Sequence, residues 1–304
     1  MQMDGDESSN IEDRRGAGGT FGGGGQGGLG GFPIPAGGGG LFKGGLGFVA
    51  FLVIAMIFGA DPLALLSGLG GGGTSSYAPP PPSRSAPSQA GDPETQFVSR
   101  VLKSTEDVWG SIFRGLGRQY RDPKLVLYRN ATRTECGVGQ SAMGPFYCPA
   151  DQRVYLDLAF FDDLARRFRA PGQFPQAYVI AHEVGHHVQN LMGVLPRVQQ
   201  AQRAASSEAE SNALQVRVEL QADCFAGVWA FHTQQQIRLE EADVRAAMQT
   251  AAAIGDDMLQ RRSQGYVVPD SFTHGSSAQR QRWFMTGLRS GQISACNTFR
   301  APQL

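Results

Sequence analysis

The sequence predicts an α+β fold, in which a mostly helical domain with a small antiparallel β-sheet is preceded by one transmembrane helix. Apolar residues recur at helical spacing in several segments after residue 94. Two short runs, residues 125–128 and 153–158, are rich in β-branched and aromatic residues and have the length of strands. An uncharged run of 17 residues, 44–60, has the length and composition of a membrane span.

Composition divides the chain into four parts. Many of the 41 glycines and 17 prolines fall in the first third, so we expect residues 1–43 to be disordered and residues 61–93 to form a solvated linker. Residues 94–304 then form one folded domain. The full chain has 27 basic and 27 acidic residues, of which 4 and 7, respectively, lie before residue 94. The remainder therefore has 23 basic and 20 acidic residues. This balance argues against nucleic acid as a partner.

The apolar run at 44–60 predicts a single-pass anchor in the cell membrane. A cleaved secretory signal and a buried core helix are the competing interpretations, but the run begins more than 40 residues into the chain. Arg14, Arg15 and Lys43 precede the run, and the next basic residue is Arg84. The positive-inside tendency therefore places the N-terminus in the cytoplasm and the folded domain outside it, in the periplasm.

The folded domain is predicted to be built from helices around the two strands. A Gly-rich loop from Cys136 to Cys148 joins the strands, and Ser276 or Ser277 caps the last helix. A helical region that follows Phe231 extends through Arg262. Apolar spacing predicts the other helices over residues 95–116, 160–168, 175–192 and 213–231.

The four cysteines suggest two disulfides. Cys136 and Cys148 lie in one turn-rich loop that can bring them within bonding range, and Cys224 with Cys296 is a second possible pair. A zinc site made of four cysteines is the alternative, but the chain has no Cys-x-x-Cys. Disulfides would support an extracytoplasmic location.

The sequence His-Glu-x-x-His at residues 182–186 predicts half of a metal site. On a helix, residues four apart point the same way, so His182 and His186 can present two imidazole nitrogens to one ion. Glu183 lies about 100° further round the helix, beside the metal, where a bound water would sit. The spacing therefore makes Glu183 a candidate general base.

A catalytic zinc needs a third protein ligand and an open fourth position. The predicted helix at 213–231 carries Glu219 and Asp223 on one face among apolar residues, which suits one as a ligand and the other as an acceptor for an imidazole N–H. The simpler interpretation is that both acids face solvent, as most acids on helices do. The apolar neighbours and the upstream motif favour the metal site.

At this point the sequence resembles known families. His-Glu-x-x-His followed by Glu-x-x-Ala-Asp is similar to the gluzincin metallopeptidases. A closer resemblance, to the neutral zinc metallopeptidase family of bacteria, covers most of the chain. It is carried by residues 9–16, 144–149, 155–158, 181–188, 219–227 and 270–276.

The resemblance implies a gluzincin-like zincin domain with one zinc ion. The zinc would be bound by His182, His186 and Glu219. Glu183 would be the general base, and Asp223 would support His182. The family implies a peptidase and assigns no particular substrate.

Two residues nearer the C-terminus are candidates for contact with the substrate. Zinc-dependent peptide hydrolysis needs a further donor for the developing oxyanion, which His274 or Arg280 could supply. A looser resemblance, to membrane-associated gluzincins with a histidine followed by an arginine six residues later, supports this. Both residues could instead be structural. His187 and His232 are expected to be packing or surface residues.

We therefore expect a membrane-anchored zinc metalloendopeptidase that acts on peptides or proteins. The strand at 154–158 could be an exposed edge that pairs with an extended substrate. Two alternatives remain open: a non-catalytic, membrane-tethered binding or scaffold module that contains zinc, and a zinc hydrolase of a non-peptide amide.

Overall fold

The structure of the protein is a computed structural model that describes residues 3–16, 91–141, 144–166 and 172–304. The strands in these ranges are β1 (Ile11–Asp13), β2 (Lys124–Tyr128), β3 (Ala131–Thr134), β4 (Gly137–Gln140), β5 (Phe146–Cys148) and β6 (Arg153–Asp157). The α-helices are α1 (Pro93–Gly115), α2 (Ala159–Arg166), α3 (Gln173–Leu191), α4 (Val194–Ala204), α5 (Glu208–Thr233), α6 (Glu241–Ala253), α7 (Asp256–Gln264) and α8 (Ser277–Ser290).

The prediction of a mostly helical domain with a small sheet is confirmed, but the antiparallel arrangement is wrong for the main sheet. Its strand order is β1-β2-β6-β5, with β1 and β6 parallel to β2 and only β5 antiparallel to β6. Strands β3 and β4 form a separate antiparallel hairpin. Leu125 and Leu127 of β2 pack into the main core, whereas Val126 and Tyr128 pack on the opposite face. A strand buried on both faces is typical of parallel pairing.

Strand β6 is not the exposed edge that we expected. It lies between β2 and β5, so both of its edges are paired. The end strands of the described sheet are β1 and β5. The expectation that residues 1–43 are disordered is also wrong for residues 11–13, which form β1.

The helices agree with the predicted ones in place, with two differences. Helix α4 was not predicted. Its Pro196 lies in the first turn, where proline is tolerated. The helical region through Arg262 is divided at Gly255 into α6 and α7. A side chain on Gly255 would collide with Ser277, which explains why a glycine stands at the break.

The expected transmembrane helix at 44–60 lies outside the described residues, as does most of the expected linker at 61–93. In the described ranges, no helix combines the length and apolar character needed to cross a membrane.

Two glycines let α5 and α8 pack in backbone contact. A Cβ on Gly227 would overlap the carbonyl oxygen of Phe284, and a Cβ on Gly287 would overlap that of Cys224. The close approach fixes α8 against the middle of α5, the part of the helix that carries Glu219 and Asp223.

We expect Gly287→Ala to lower the free energy of unfolding by about 3 kcal/mol, because the two helices must move apart. For a domain of this size that is a fall in Tm of about 6–12 °C. Gly110→Ala in α1 is the control, because its Cβ would meet only a side-chain nitrogen of Arg114 at 3.7 Å. That change should raise stability by about 0.5–1 kcal/mol. Equal effects of the two substitutions in thermal unfolding would contradict the packing argument.

Candidate metal centre

Three side chains from two facing helices converge on one point. Helix α3 supplies His182 and His186, and α5 supplies Glu219. The Nε2 atoms of the two histidines lie 3.2 and 3.4 Å from Oε2 of Glu219, respectively. One ligand atom from each residue falls within 4.8 Å of the others. The two predicted ligands on α3 and one of the two acids on α5 are thus brought together.

A glycine inside the motif sets the distance between the two helices. A Cβ on Gly185 would lie 3.1 Å from the backbone oxygen of Ala222 and 3.2 Å from its Cα. The backbones of α3 and α5 therefore approach closely at the level of the three ligand residues. A larger residue at either position would separate His182 from Glu219.

Asp223 holds the ring of His182. Its Oδ1 lies 2.9 Å from Nδ1 of His182 and also accepts the hydroxyl of Tyr178 at 2.5 Å. Arg280 donates to both carboxylate oxygens, at 2.8 and 2.9 Å. Burial tends to raise the pKa of Asp223, but the charges of Arg280 and His182 lower it to about 2. Asp223 is therefore ionised, accepts the Nδ1 proton and leaves Nε2 of His182 for a metal.

Gln189 holds the ring of His186, as Asp223 holds the ring of His182. The Oε1 of Gln189 lies 2.9 Å from Nδ1 of His186. The amide nitrogen of Gln189 donates to the backbone oxygen of Val218 at 2.7 Å and to Oε1 of Gln221 at 3.1 Å, which fixes the orientation of the amide. Nδ1 of His186 must therefore be the donor, and its Nε2 is the atom left for a metal.

Glu219 also has one oxygen engaged and one directed at the centre. Gln215, one turn earlier on α5, donates to Oε1 of Glu219 at 2.8 Å. Burial tends to raise the pKa of Glu219, but the charge of His186 and the hydrogen bonds of both histidines bring it well below its usual value. An ionised carboxylate oxygen thus faces two imidazole nitrogens.

This donor set fits zinc. Two imidazole nitrogens and one carboxylate oxygen are the three protein ligands of many catalytic zinc sites, which keep a fourth position open. Each ligand has its second polar atom satisfied by Asp223, Gln189 or Gln215, as metal-binding residues usually do. Glu183 directly follows His182 on α3. It is only 8% exposed, and burial raises the pKa of its carboxyl.

His274 lies on a loop that rests against α5. A Cβ on Gly275 would meet Leu220 at 3.1 Å and Val216 at 3.3 Å, so the loop packs on the helical turn that carries Glu219. The positive φ of Gly275, 87°, favours glycine at this close contact.

Asp256, the first residue of α7, holds the loop in place. Its Oδ2 accepts the backbone N–H groups of Thr273, His274 and Gly275 at 2.7, 2.6 and 3.0 Å, respectively. Its Oδ1 lies 3.3 Å from Nδ1 of His274. The buried carboxylate of Asp256 thus holds both the backbone of this loop and the imidazole of His274.

The other predicted residues have structural positions. Arg280 is almost fully buried against Asp223, so its guanidinium is committed to positioning and not to the substrate. The ring of His187 packs between Arg121 and Tyr147, with Nε2 2.6 Å from the Arg121 backbone oxygen and Nδ1 3.0 Å from the Tyr147 hydroxyl. His232 caps a loop, with Nε2 2.9 Å from the backbone oxygen of Gly291.

Both expected disulfides are present. Cys136 is bonded to Cys148, with Cα atoms 5.8 Å apart, and Cys224 is bonded to Cys296, with Cα atoms 5.5 Å apart. The second bond ties the C-terminal segment to α5 one residue beyond Asp223.

Four supporting residues were missed by the sequence analysis: Tyr178, Gln189, Gln215 and Asp256. Tyr178 precedes His182 by four residues and Gln189 follows His186 by three, so helical spacing could have indicated both. Gln215 likewise precedes Glu219 by one turn. Asp256 lies 18 residues before His274, and no local pattern connects the two.

The fold and the site define a protein in which two histidines and one glutamate converge where they could hold a metal ion, as the ligands of zinc hydrolases do. The family model described as "Putative neutral zinc metallopeptidase" matches residues 1–299, and the chain belongs to this family. It is 50% identical over 293 residues to the uncharacterized protein YpfJ of Escherichia coli K12, which covers 96% of each chain. It is 36% identical over 267 residues to the uncharacterized protein Rv2575 of Mycobacterium tuberculosis H37Rv, which covers 82% of this chain and 86% of that protein. No solved structure matches the chain.

Proposed function

We propose that the protein is a zinc-dependent endopeptidase in which Glu183 is the general base. The observation that carries the proposal is the convergence of ligand atoms from His182, His186 and Glu219 within 4.8 Å. Glu183 is buried on α3, the helix that carries both histidines. A purely structural zinc would need a fourth protein ligand, and in the described part of the chain the metal-binding cluster consists of these three residues.

Zinc and Glu183 would have separate roles in the reaction. Zinc, when bound, supplies a Lewis acid that polarises the scissile carbonyl and lowers the pKa of water. Glu183 takes a proton from the attacking water and returns it to the leaving amine. Burial raises the pKa of Glu183, which helps the first transfer, because the carboxylate of a weaker acid is a stronger base.

His274 would stabilise the negative charge that develops on the carbonyl oxygen. With Nδ1 facing Asp256, its Nε2 is the atom that can donate to the substrate. Asp256 also helps to keep the imidazole protonated, because hydrogen bonding and charge from Asp256 outweigh burial and raise the pKa of His274.

We expect His274→Ala to lower kcat about 10²–10³-fold, the usual cost of losing one oxyanion donor. Zinc content should remain unchanged, because His274 is not a ligand. His232→Ala is the matched control and should leave kcat unaltered. Steady-state cleavage of one fluorogenic peptide by both variants checks the prediction; a lost zinc ion in His274→Ala would show a different role.

An extended peptide would pair with β5 and not with β6. Strand β5 is an end strand of the described sheet. Its Tyr147 hydroxyl accepts a hydrogen bond from Asn190 of α3 at 3.0 Å, so the strand runs close to the motif helix. Main-chain pairing selects the extended shape of a substrate more than its sequence.

The test is cleavage of an unfolded protein by the full chain. Reduced and alkylated protein is incubated with the zinc-loaded chain, and new N-termini are identified by mass spectrometry with and without a chelator. We expect internal cleavage that the chelator abolishes. If one zinc ion binds per chain and a set of unfolded proteins gains no new termini, the peptidase proposal fails.

We also propose that the domain works outside the cytoplasm, which the two disulfides support. Rapid acid quenching of cells followed by thiol alkylation should leave all four cysteines unmodified. Alkylation of Cys224 and Cys296 in the quenched sample would contradict this location.

A further inference from the structure

The N-terminal segment is an integral part of the folded domain. Strand β1 pairs in parallel with β2, with Ile11 opposite Leu125 and Asp13 opposite Leu127. Main-chain hydrogen bonds at both ends of β1 complete the pairing: Leu125 donates to Asn10 at 2.9 Å, and Arg14 donates to Leu127 at 2.7 Å. The edge of β2 is thus covered by the start of the chain.

Side-chain contacts before β1 attach the same segment to α1. The hydroxyl of Ser8 donates to Oε1 of Glu106 at 2.6 Å, and the amide of Asn10 donates to the same oxygen at 2.9 Å. The backbone N–H of Ser8 donates to the backbone oxygen of Ser99 at 3.2 Å, and the Ser99 hydroxyl donates back at 3.0 Å. Met3 is buried in the main hydrophobic core. These contacts are specific and partly buried, unlike those of a tethered tail.

The end of the N-terminal segment also contacts the start of α1. Arg15 forms an ion pair with Asp13 at 2.7 Å and with Asp92 at 2.8 Å, and it donates to the hydroxyl of Thr95 at 2.8 Å. Asp92 is the N-cap of α1. Residues 15 and 92 are therefore in direct contact, although 76 residues lie between them in the sequence.

A single crossing of a bilayer between residues 15 and 92 is incompatible with these contacts. A span of 17 residues covers about 25 Å of a hydrocarbon core that is about 30 Å thick, so its two flanks would lie on opposite sides. Strand pairing requires main-chain atoms about 3 Å apart. Both flanks of residues 17–90 must then lie on one side of any membrane.

We propose that β1 and the metal-binding domain share one compartment, so that the chain makes no net membrane crossing between residues 16 and 91. This replaces the single-pass topology with a cytoplasmic N-terminus that the basic residues before the apolar run predict.

Two measurements on the full chain in intact cells test the proposal. Short epitope tags are placed before Met1 and after Leu304, and spheroplasts are treated with protease before and after permeabilisation. We expect the two tags to be lost together, in the same step. Loss of one tag before permeabilisation and of the other only afterwards would overturn the proposal.

The second measurement asks whether β1 is docked in the cell. A photo-crosslinking amino acid replaces Glu7, whose exposed carboxylate lies 3.5 Å from Arg100 of α1. Irradiation should yield a cross-linked peptide pair that joins the N-terminal segment to α1. The same amino acid in place of exposed Tyr266 is the control and should give no such pair. Absence of the pair from the Glu7 variant would also overturn the proposal.

Discussion

Glu183→Gln is expected to lower kcat by about 10²–10⁴-fold while one zinc ion remains bound per chain. The amide has nearly the volume of the carboxyl group but cannot take a proton from water. Because Glu183 is not among the three converging ligands, the substitution leaves the metal site intact. The measurement pairs kcat on a peptide with zinc content by elemental analysis.

Glu208→Gln, at the exposed start of α5, is the control for a lost carboxylate and should be as active as the native chain. Cleavage by Glu183→Gln at the native rate would remove Glu183 from the mechanism. Loss of zinc together with activity would instead make Glu183 part of the metal site.

Arg280→Met is expected to have the largest effect on stability, a loss of about 3–5 kcal/mol in the free energy of unfolding. The substitution leaves the carboxylate of Asp223, which is fully buried, without the partner that donates to both of its oxygens. Zinc affinity should fall about 10–100-fold as well, because Asp223 positions His182. Arg282→Met, on the exposed side of the same helix, is the control. It should change the free energy of unfolding by no more than about 0.5 kcal/mol and leave the zinc affinity unaltered.

A double substitution separates the two roles of this cluster. Arg280→Met combined with Asp223→Leu removes both charges, so part of the lost stability should return. Zinc affinity should stay low, because His182 then has no acceptor for its Nδ1 proton. Recovery of both quantities would show that Asp223 does not act through His182. Chemical unfolding and zinc competition titration provide the two readouts.

The candidate metal ligands were predictable because their geometry is local. His182 and His186 are one helical turn apart, and Glu219 and Asp223 are one turn apart on another helix, so spacing alone placed each pair on one face. The spacing could not decide which acid binds the metal. That follows from the register between α3 and α5, which Gly185 and Ala222 set by their close contact.

The sheet was harder to predict because its pairing is non-local. Strands β2 and β6 are parallel neighbours separated by a hairpin and by β5, and no turn signal records that arrangement. Strand β1 was missed for a different reason. The polar residues in and beside it resemble a solvated tail in composition. Only their partners, such as Glu106 for Asn10 and Asp92 for Arg15, give them a place in the fold.

The role of Arg280 also depends on contacts between segments that are distant in the sequence. From the sequence it could equally have contacted the substrate or supported the site. The structure directs its guanidinium at Asp223 and Tyr178, which are distant in the sequence and adjacent in space. His274 and Asp256 are a second such pair. Assignments that depend on contacts between distant segments needed the fold.

The most direct test of the central claim is a zinc titration of the metal-free full chain, followed at each point by peptide cleavage and by bound zinc. If His182, His186 and Glu219 hold a catalytic ion, cleavage should rise in proportion to bound zinc and reach its plateau at one ion per chain. Cleavage at the plateau rate by the metal-free chain, or one tightly bound zinc ion with no cleavage of any unfolded protein, would contradict the account.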